Sequence, residues 1–237
     1  MVWELPPRPR ATGTSVPAKA LAIAAFGARG TGKTAWVVQY IERTRPARLL
    51  IWDYKDDPPI AHLGQPLRSL PELARRADAA RFALRYVVDH DADIHRQFEW
   101  FCKVAWKAGN LVMFVDELPE VTKANKAPPA WRKCVNVGRL YKDEGKLKTL
   151  TIIGVGQRPA ECDKSFISNA DIIHTGRLSN ASDARDLADS LGVGFRDLLS
   201  MPDLEWIEKS AESMQPTRGK LNFSTRPKKS AIPKGAS

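Results

Sequence analysis

The sequence predicts an α/β domain built on a mostly parallel β-sheet flanked by helices. Two observations carry this: five short apolar runs recur along the chain, and stretches with apolar residues at helical spacing lie between them. A third is a glycine-rich turn directly after the first run, which places the functional edge of the sheet at the strand ends.

The elements follow in order. Residues 1–18 hold Pro6, Pro7, Pro9 and Pro17 with Gly13 and Ser/Thr between them, predicting an extended or disordered arm. Ala20 to Phe26 is a continuous apolar run that turns into Gly27, as a strand buried on both faces requires. Residues 33–44 carry Trp36, Val37, Tyr40 and Ile41 at helical spacing, and Pro46 ends them. Arg48 to Asp53 is the second run; Pro58, Pro59, Gly64 and Pro66 then predict a loop. Leu70 to Ala80 reads as a short helix and Phe82 to Val88 as a strand. Ile94, Phe98, Phe101, Cys102 and Ala105 form the inner stripe of an amphipathic helix stopped by Gly109.

Leu111 to Val115 is the third run and ends in Asp116-Glu117. After Pro128-Pro129 a helix turns Trp131, Cys134 and Val135 inward. Thr149 to Val155 is the fourth run and Ala170 to Thr175 the fifth. From about Lys209 the text is polar and basic, predicting a hairpin and then a disordered end. The expected organisation is an arm over 1–18, a domain over 19–208, and a basic, partly disordered extension over 209–237.

Composition narrows the class. The chain has 237 residues, 43% hydrophobic and 27% charged, which excludes collagen-like, mucin-like and wholly disordered chains. Its longest apolar run falls far short of the roughly twenty residues a spanning helix needs, so no transmembrane segment is expected. No apolar stretch of a secretory signal is visible near Glu4. Cys102, Cys134 and Cys162 stand far apart, which suits a reducing cytoplasm rather than a disulfide framework or zinc module. The formal charge is +10, and most of it lies in the tails: residues 213–237 carry six basic residues and no acid. Such arms fit an anionic partner, and equally a solubilising tail.

Gly27-Ala28-Arg29-Gly30-Thr31-Gly32-Lys33-Thr34 fits G-x-x-x-x-G-K-[ST] at every fixed position, between a buried strand and an amphipathic helix. The glycines let successive backbone N–H groups turn inward around phosphates, and the helix N-terminus adds partial positive charge. Lys33 would reach the β- and γ-phosphate oxygens of ATP, and the Thr34 hydroxyl would ligate Mg²⁺. Asp116, at the end of a neighbouring parallel strand, would hold the metal through water. Glu117 stands next to it, placed to polarise a water for attack on the γ-phosphorus. Gln157, after the fourth run, opens on the same edge; it would bond the γ-phosphate or the water, or merely cap the strand.

Together these residues resemble the FtsK–HerA superfamily of DNA-pumping P-loop ATPases. The matched pieces are Gly27 to Thr34, Asp116-Glu117, Gly138-Arg139, Gln157-Arg158-Pro159, Ser168 to Ile173, and Arg177-Leu178-Ser179 followed by Asp183. Asp53-Tyr54-Lys55-Asp56 is similar to the family's strand-end Asp and Lys. The resemblance runs from about residue 20 to 190, and it is most specific to genome-packaging ATPases of tailless, membrane-containing, tectivirus-like viruses. It implies a RecA/ASCE-like sheet in the order 5-1-4-3-2, the fourth run lying between the first and third. It also implies a homo-oligomeric ring, usually a hexamer, in which a neighbour contributes an arginine to each ATP. Arg139 is the best match for that finger, with Arg158 and Arg177 in reserve; any of them could instead be a surface arginine or an internal ion-pair partner. Tyr141 to Lys148 departs from the family, a longer charged loop replacing a short small-residue turn.

Residues 122–148 hold eight basic residues against Asp143 and Glu144. Lys123, Lys126, Arg132 and Lys133 are the candidates for sequence-independent contact with a DNA backbone, if the segment lines a ring channel; the alternative is a solvated helix face. Asp89 to His95 reads as a loop opening the next helix rather than a metal site, and His174 as a packed histidine. Trp36, Trp52, Trp100, Trp106, Trp131 and Trp206 read mostly as core.

The expected activity is ATP hydrolysis coupled to double-stranded DNA translocation, packaging a viral genome with capsid vertex or portal proteins as partners. The expected place is the host cytoplasm or a packaging vertex of the virion. The alternatives are a nucleotide-gated DNA or capsid assembly adaptor with little turnover, and a filamentous-phage export type of ATPase.

Overall fold

Each apolar run becomes a strand because both of its faces meet helix. The computed structural model describes residues 19–213 and 215–222. In β1 (Ala22–Phe26), Ile23 and Ala25 join one apolar cluster with Val37 and Ile41 of α1 (Lys33–Thr44), whereas Ala22, Ala24 and Phe26 join the other. In β2 (Arg48–Asp53), Leu49 and Ile51 take the first side and Leu50 and Trp52 the second. Burial on two sides is why these runs are unbroken rather than alternating.

The stretch expected as a loop after β2 is ordered differently. It forms a 3₁₀ turn over Pro58–Leu63 and a strand β3 (Gln65–Leu67). Strand β3 pairs in parallel with β4 (Phe82–Val87) at the edge of the sheet, where a proline such as Pro66 is tolerated. Between them α2 (Leu70–Arg76) starts at a Ser69 cap and stops short of the expected Ala80. Helix α3 (Ile94–Ala108) opens on Asp93, whose side chain accepts the Arg96 N–H, and His90 bonds the Tyr54 carbonyl.

After β5 (Leu111–Val115) come α4 (Leu118–Val121) and α5 (Pro129–Val137). The charged loop over 141–148 is in fact a hairpin of β6 (Tyr141–Asp143) and β7 (Lys146–Lys148). Glu144 and Gly145 both have positive φ, 49 and 77, the two-residue turn that matches strand twist. Its anchors are Tyr141, stacked 3.8 Å from Trp106, and the buried Lys148, which bonds Asp143 at 2.7 Å.

The remaining elements are β8 (Leu150–Gly156), α6 (Lys164–Ser168), β9 (Ile172–Thr175), α7 (Ala181–Leu191), α8 (Phe195–Ser200), β10 (Glu205–Ser210) and β11 (Thr217–Lys220). The nine-stranded sheet runs β11-β10-β9-β1-β8-β5-β2-β4-β3. Its middle therefore places the fifth, first, fourth, third and second runs side by side. All strands from β9 to β3 are parallel; β10 pairs antiparallel with β9, and β11 with β10. The expected domain boundary at 208 falls inside β10, so the sheet continues to Lys220 because β10 completes the open edge of β9. The arm over 1–18 and residues 223–237 lie outside the described residues.

Helix α1 and the 3₁₀ turn cover one face, and residues of α2 through α8 cover the other. Trp52 and Trp131 are fully buried in the second layer, but Trp100 is 50% exposed, one position off the Phe98–Phe101–Cys102–Ala105 stripe. Cys102, Cys134 and Cys162 are buried and unpaired. His174 is buried, stacked 4.0 Å from Trp36 and bonded to Glu208. No helix among the described residues is long and apolar enough to cross a membrane.

Candidate active site

Parallel strands release their chains on one edge, and that edge collects the chemistry. Strands β1, β2, β5 and β8 end at Phe26, Asp53, Val115 and Gly156, so Gly27, Tyr54, Asp116 and Gln157 leave the sheet together.

After β1 the backbone turns through Gly27 (φ 152), Gly30 (φ 82) and Gly32 (φ 94), a region that strains any side-chain-bearing residue. Thr31 fills the inside of the turn: it is buried, and its hydroxyl donates to the Ala28 carbonyl at 2.9 Å. The Ala28 N–H donates to the Arg177 carbonyl at 2.7 Å, tying the loop to the segment after β9. Gly32 is the N-cap of α1, and the first turn of that helix holds no acid. Its positive end is thus unneutralised from within, as an anion site requires.

Lys33, Asp116, Glu117 and Gln157 meet here from three strand ends. Burial lowers the Lys33 pKa, while Glu117 and Asp116 pull it back up. Asp116 is buried, and its pKa is raised to about 7, first by burial and then by the charges of Glu117, Asp57 and Asp53. Glu117 sits at φ 49, a strained value for a non-glycine residue of the kind found at functional sites. Its Oε1 accepts hydrogen bonds from Gln157 Nε2 at 3.1 Å and from Lys55 Nζ at 2.5 Å.

Lys55 and its support were not among the expected site residues. The turn that carries Lys55 is built on Asp53, whose Oδ1 accepts the N–H groups of Lys55 (3.3 Å) and Asp57 (3.0 Å). The other oxygen of Asp53 is bonded by the buried Arg85, which also reaches Asp56 at 2.7 Å. Only an arginine in the middle of an apolar strand signals this pair in the sequence. A cleft of about 1110 Å³ leads away from Gly30, Gly32, Lys33 and Thr34 past Val38, Gln39, Pro59 and Leu204. Leu204 and Leu221 close over Gly32, where an added Cβ would collide with the Leu221 side chain. Nothing local in the sequence links those leucines to a loop so far upstream.

Other expected residues lie elsewhere. Gly138 bonds Leu150 at the start of β8, and Arg139 donates to Asp171 (2.9 Å) and to the Asn169 carbonyl (2.6 Å). Asp171 in turn holds the N–H of Ala22 at the start of β1. Arg139 is therefore on the sheet edge opposite Lys33. Arg158 is paired with Asp183 (2.7 Å) and Glu161 (2.9 Å), and Arg177 with Asp203 (2.6 Å). Lys123 and Lys126 face each other across a bridged turn before α5, and Arg132 and Lys133 are exposed on α5, with Lys133 Nζ 4.1 Å over the Trp106 ring.

The chain matches no family model. It is 25% identical over 182 residues to Protein P9 of Pseudoalteromonas phage PM2, covering 75% of this chain and 78% of that one. Its structure matches the genome packaging NTPase B204 of Sulfolobus turreted icosahedral virus 2, solved with AMPPCP, at TM-score 0.65 and 17% identity over 85% of this chain and 97% of that one. The fold is that of a P-loop NTPase. The sheet also matches the plasmid coupling protein TrwB, solved with ADP and Mg²⁺, at TM-score 0.59 and 11% identity over 86% of each chain. The chain is thus similar in sequence to a phage protein, and in fold to a viral genome packaging NTPase and a plasmid coupling protein.

Proposed function

We propose that this chain is an ATPase that couples hydrolysis of Mg²⁺-ATP to translocation of double-stranded DNA, packaging a viral genome as an oligomeric ring. The observation that carries the reading is the meeting of Glu117 and Gln157 beside Lys33 and Asp116, since a water-activating carboxylate is what separates a hydrolase from a nucleotide-binding scaffold. Its similarity to Protein P9 of phage PM2 and to the packaging NTPase B204 supports the same reading.

The P-loop N–H groups and Lys33 hold the β- and γ-phosphates. Glu117 takes a proton from a water oriented with Gln157; the water oxygen bonds to the γ-phosphorus as the bond to the bridging oxygen breaks, and that oxygen leaves on ADP with the electron pair. The donors fit Mg²⁺: a hydroxyl and a carboxylate are what an ion bound mainly through phosphates and water needs. Thr34 and Asp116 would hold it, and it would offset phosphate charge. Arg139, on the far edge, would serve the ATP of a neighbouring copy, most simply in a hexamer. Lys123, Lys126, Arg132 and Lys133 would contact the DNA backbone without reading bases. Capsid vertex or portal proteins would be the partners, in the host cytoplasm or at the virion vertex.

Phosphate release by the purified chain tests this. It should occur with Mg²⁺-ATP, rise on adding double-stranded DNA, and vanish in Lys33→Ala and Glu117→Gln. Binding of ATP with no DNA-stimulated release would instead indicate an assembly adaptor. Full turnover in either variant would reject the catalytic assignment.

A further inference from the structure

The carboxylate assigned as base is not free. Glu117 Oε1 already holds the Lys55 ammonium at 2.5 Å and the Gln157 amide at 3.1 Å. A carboxylate in an ion pair is a weaker proton acceptor, so displacing Lys55 would make Glu117 a stronger base toward water.

Lys55 is suited to being displaced. Its backbone is fixed, because Asp53 anchors both ends of the turn from 55 to 57 and Arg85 pins Asp53 from the neighbouring strand. Its side chain, by contrast, is 51% exposed, while that of Glu117 is 10% exposed. Burial works against the charge on Lys55, and the bond and charge of Glu117 outweigh it, with Asp116 and Asp57 adding to the pull. Lys55 Nζ and Gln157 Nε2 share one oxygen of Glu117, at the strand-end edge that also carries Lys33, and the charges of Lys33 and Lys55 act on each other. A terminal phosphate on Lys33, carrying more charge than one carboxylate, would compete with Glu117 for the more exposed cation.

We propose that Lys55 is the residue that distinguishes a nucleoside triphosphate from a diphosphate: it neutralises Glu117 in the empty site and transfers to the γ-phosphate when that group arrives, which frees Glu117. This rests on the ATPase reading and deepens it. The transfer is an exchange of ion-pair partners; no covalent bond is made or broken in it. The site is self-checking as a result, since the base is released only by the phosphate it must help to remove.

Calorimetric titration of the full-length chain with ADP and with AMPPCP, each with Mg²⁺, tests the idea in the wild type, Lys55→Met and Lys55→Arg. One charge-assisted hydrogen bond to phosphate predicts that Lys55→Met binds AMPPCP at least about tenfold more weakly while ADP affinity is unchanged. Lys55→Arg should keep most of the preference for AMPPCP. Equal losses for both nucleotides in Lys55→Met, or no loss for either, would overturn the assignment and leave Lys55 a support of the turn or of Glu117. A wild type that binds both nucleotides isolates that result from the nucleotide reading; a wild type that binds neither defeats the ATPase reading and this inference together.

Discussion

Arg139 and Asp171 form an ion pair, 2.9 Å long, on the edge of the sheet opposite the P-loop. The pair sits where β1 and β8 begin, because Asp171 also accepts the Ala22 N–H at 2.8 Å and Gly138 accepts the Leu150 N–H at 2.7 Å. An arginine so placed cannot serve Lys33 of its own chain, so a catalytic role for it demands a second copy.

That geometry makes complementation the decisive experiment for Arg139. Arg139→Ala should keep nucleotide affinity and lose about a thousandfold in turnover, the usual effect of removing an arginine finger. Mixed with Lys33→Ala, it should regain part of the activity, since some boundaries then pair an intact P-loop with an intact arginine. Phosphate release across a series of mixing ratios reads this; a flat line at zero would place the finger elsewhere, at Arg158 or Arg177.

The pKa of Asp116 predicts how stability responds to pH. Its folded value, about 7, lies above the ordinary carboxyl value of 3.8. Between those two values the folded chain keeps a proton that the unfolded chain has released, so this group makes stability fall as pH rises through that window and level off above it. Asp57 is displaced in the same direction, by burial and then by Asp53. Melting temperatures of the nucleotide-free chain at pH 5, 6, 7 and 8 should decline, and Asp116→Asn should flatten the decline and melt higher at pH 8. An unchanged slope in that variant would show that Asp116 is not the group responsible.

Arg85 and Asp53 predict a stability effect that propagates to the site. Both are buried, so Arg85→Met leaves the Asp53 carboxylate without its charged partner, at a cost of about 3–5 kcal/mol. Urea denaturation should show that loss, and the double variant Asp53→Asn, Arg85→Met should recover much of it. The single variant should also loosen the Lys55 turn, since Asp53 anchors it.

The basic residues around α5 predict a salt signature. Lys126→Glu and Arg132→Glu should weaken binding to duplexes of any sequence to a similar degree and reduce the salt dependence by about one counterion per lost contact. DNA-free ATP hydrolysis should be unchanged. Equal binding by the variants would assign this face to solvent.

Much of the site was legible because its parts are local. Gly27 to Thr34 is a contiguous loop whose positive-φ glycines have no substitute, and the acids and Gln157 follow apolar runs that only a two-sided burial explains. Tyr141 to Lys148 was not legible as a hairpin: Glu144-Gly145 is a weak turn signal, and the pairing depends on Trp106 and Lys107 of α3 meeting it in space. Trp100 shares a helix with inward aromatics and still faces out, since rotation by one residue moves a side chain about 100° around the axis.

By itself the sequence determined the five central strands and the longer helices between them, and which turn has the glycines that a phosphate loop needs, because periodicity and backbone freedom are properties of neighbouring residues. Only the tertiary structure decided that Lys55 holds Glu117, that Leu221 covers Gly32, and that Arg139 faces away from Lys33. Those relations join residues far apart in the chain, and they are settled by the order and direction in which the strands pack, which no local pattern encodes.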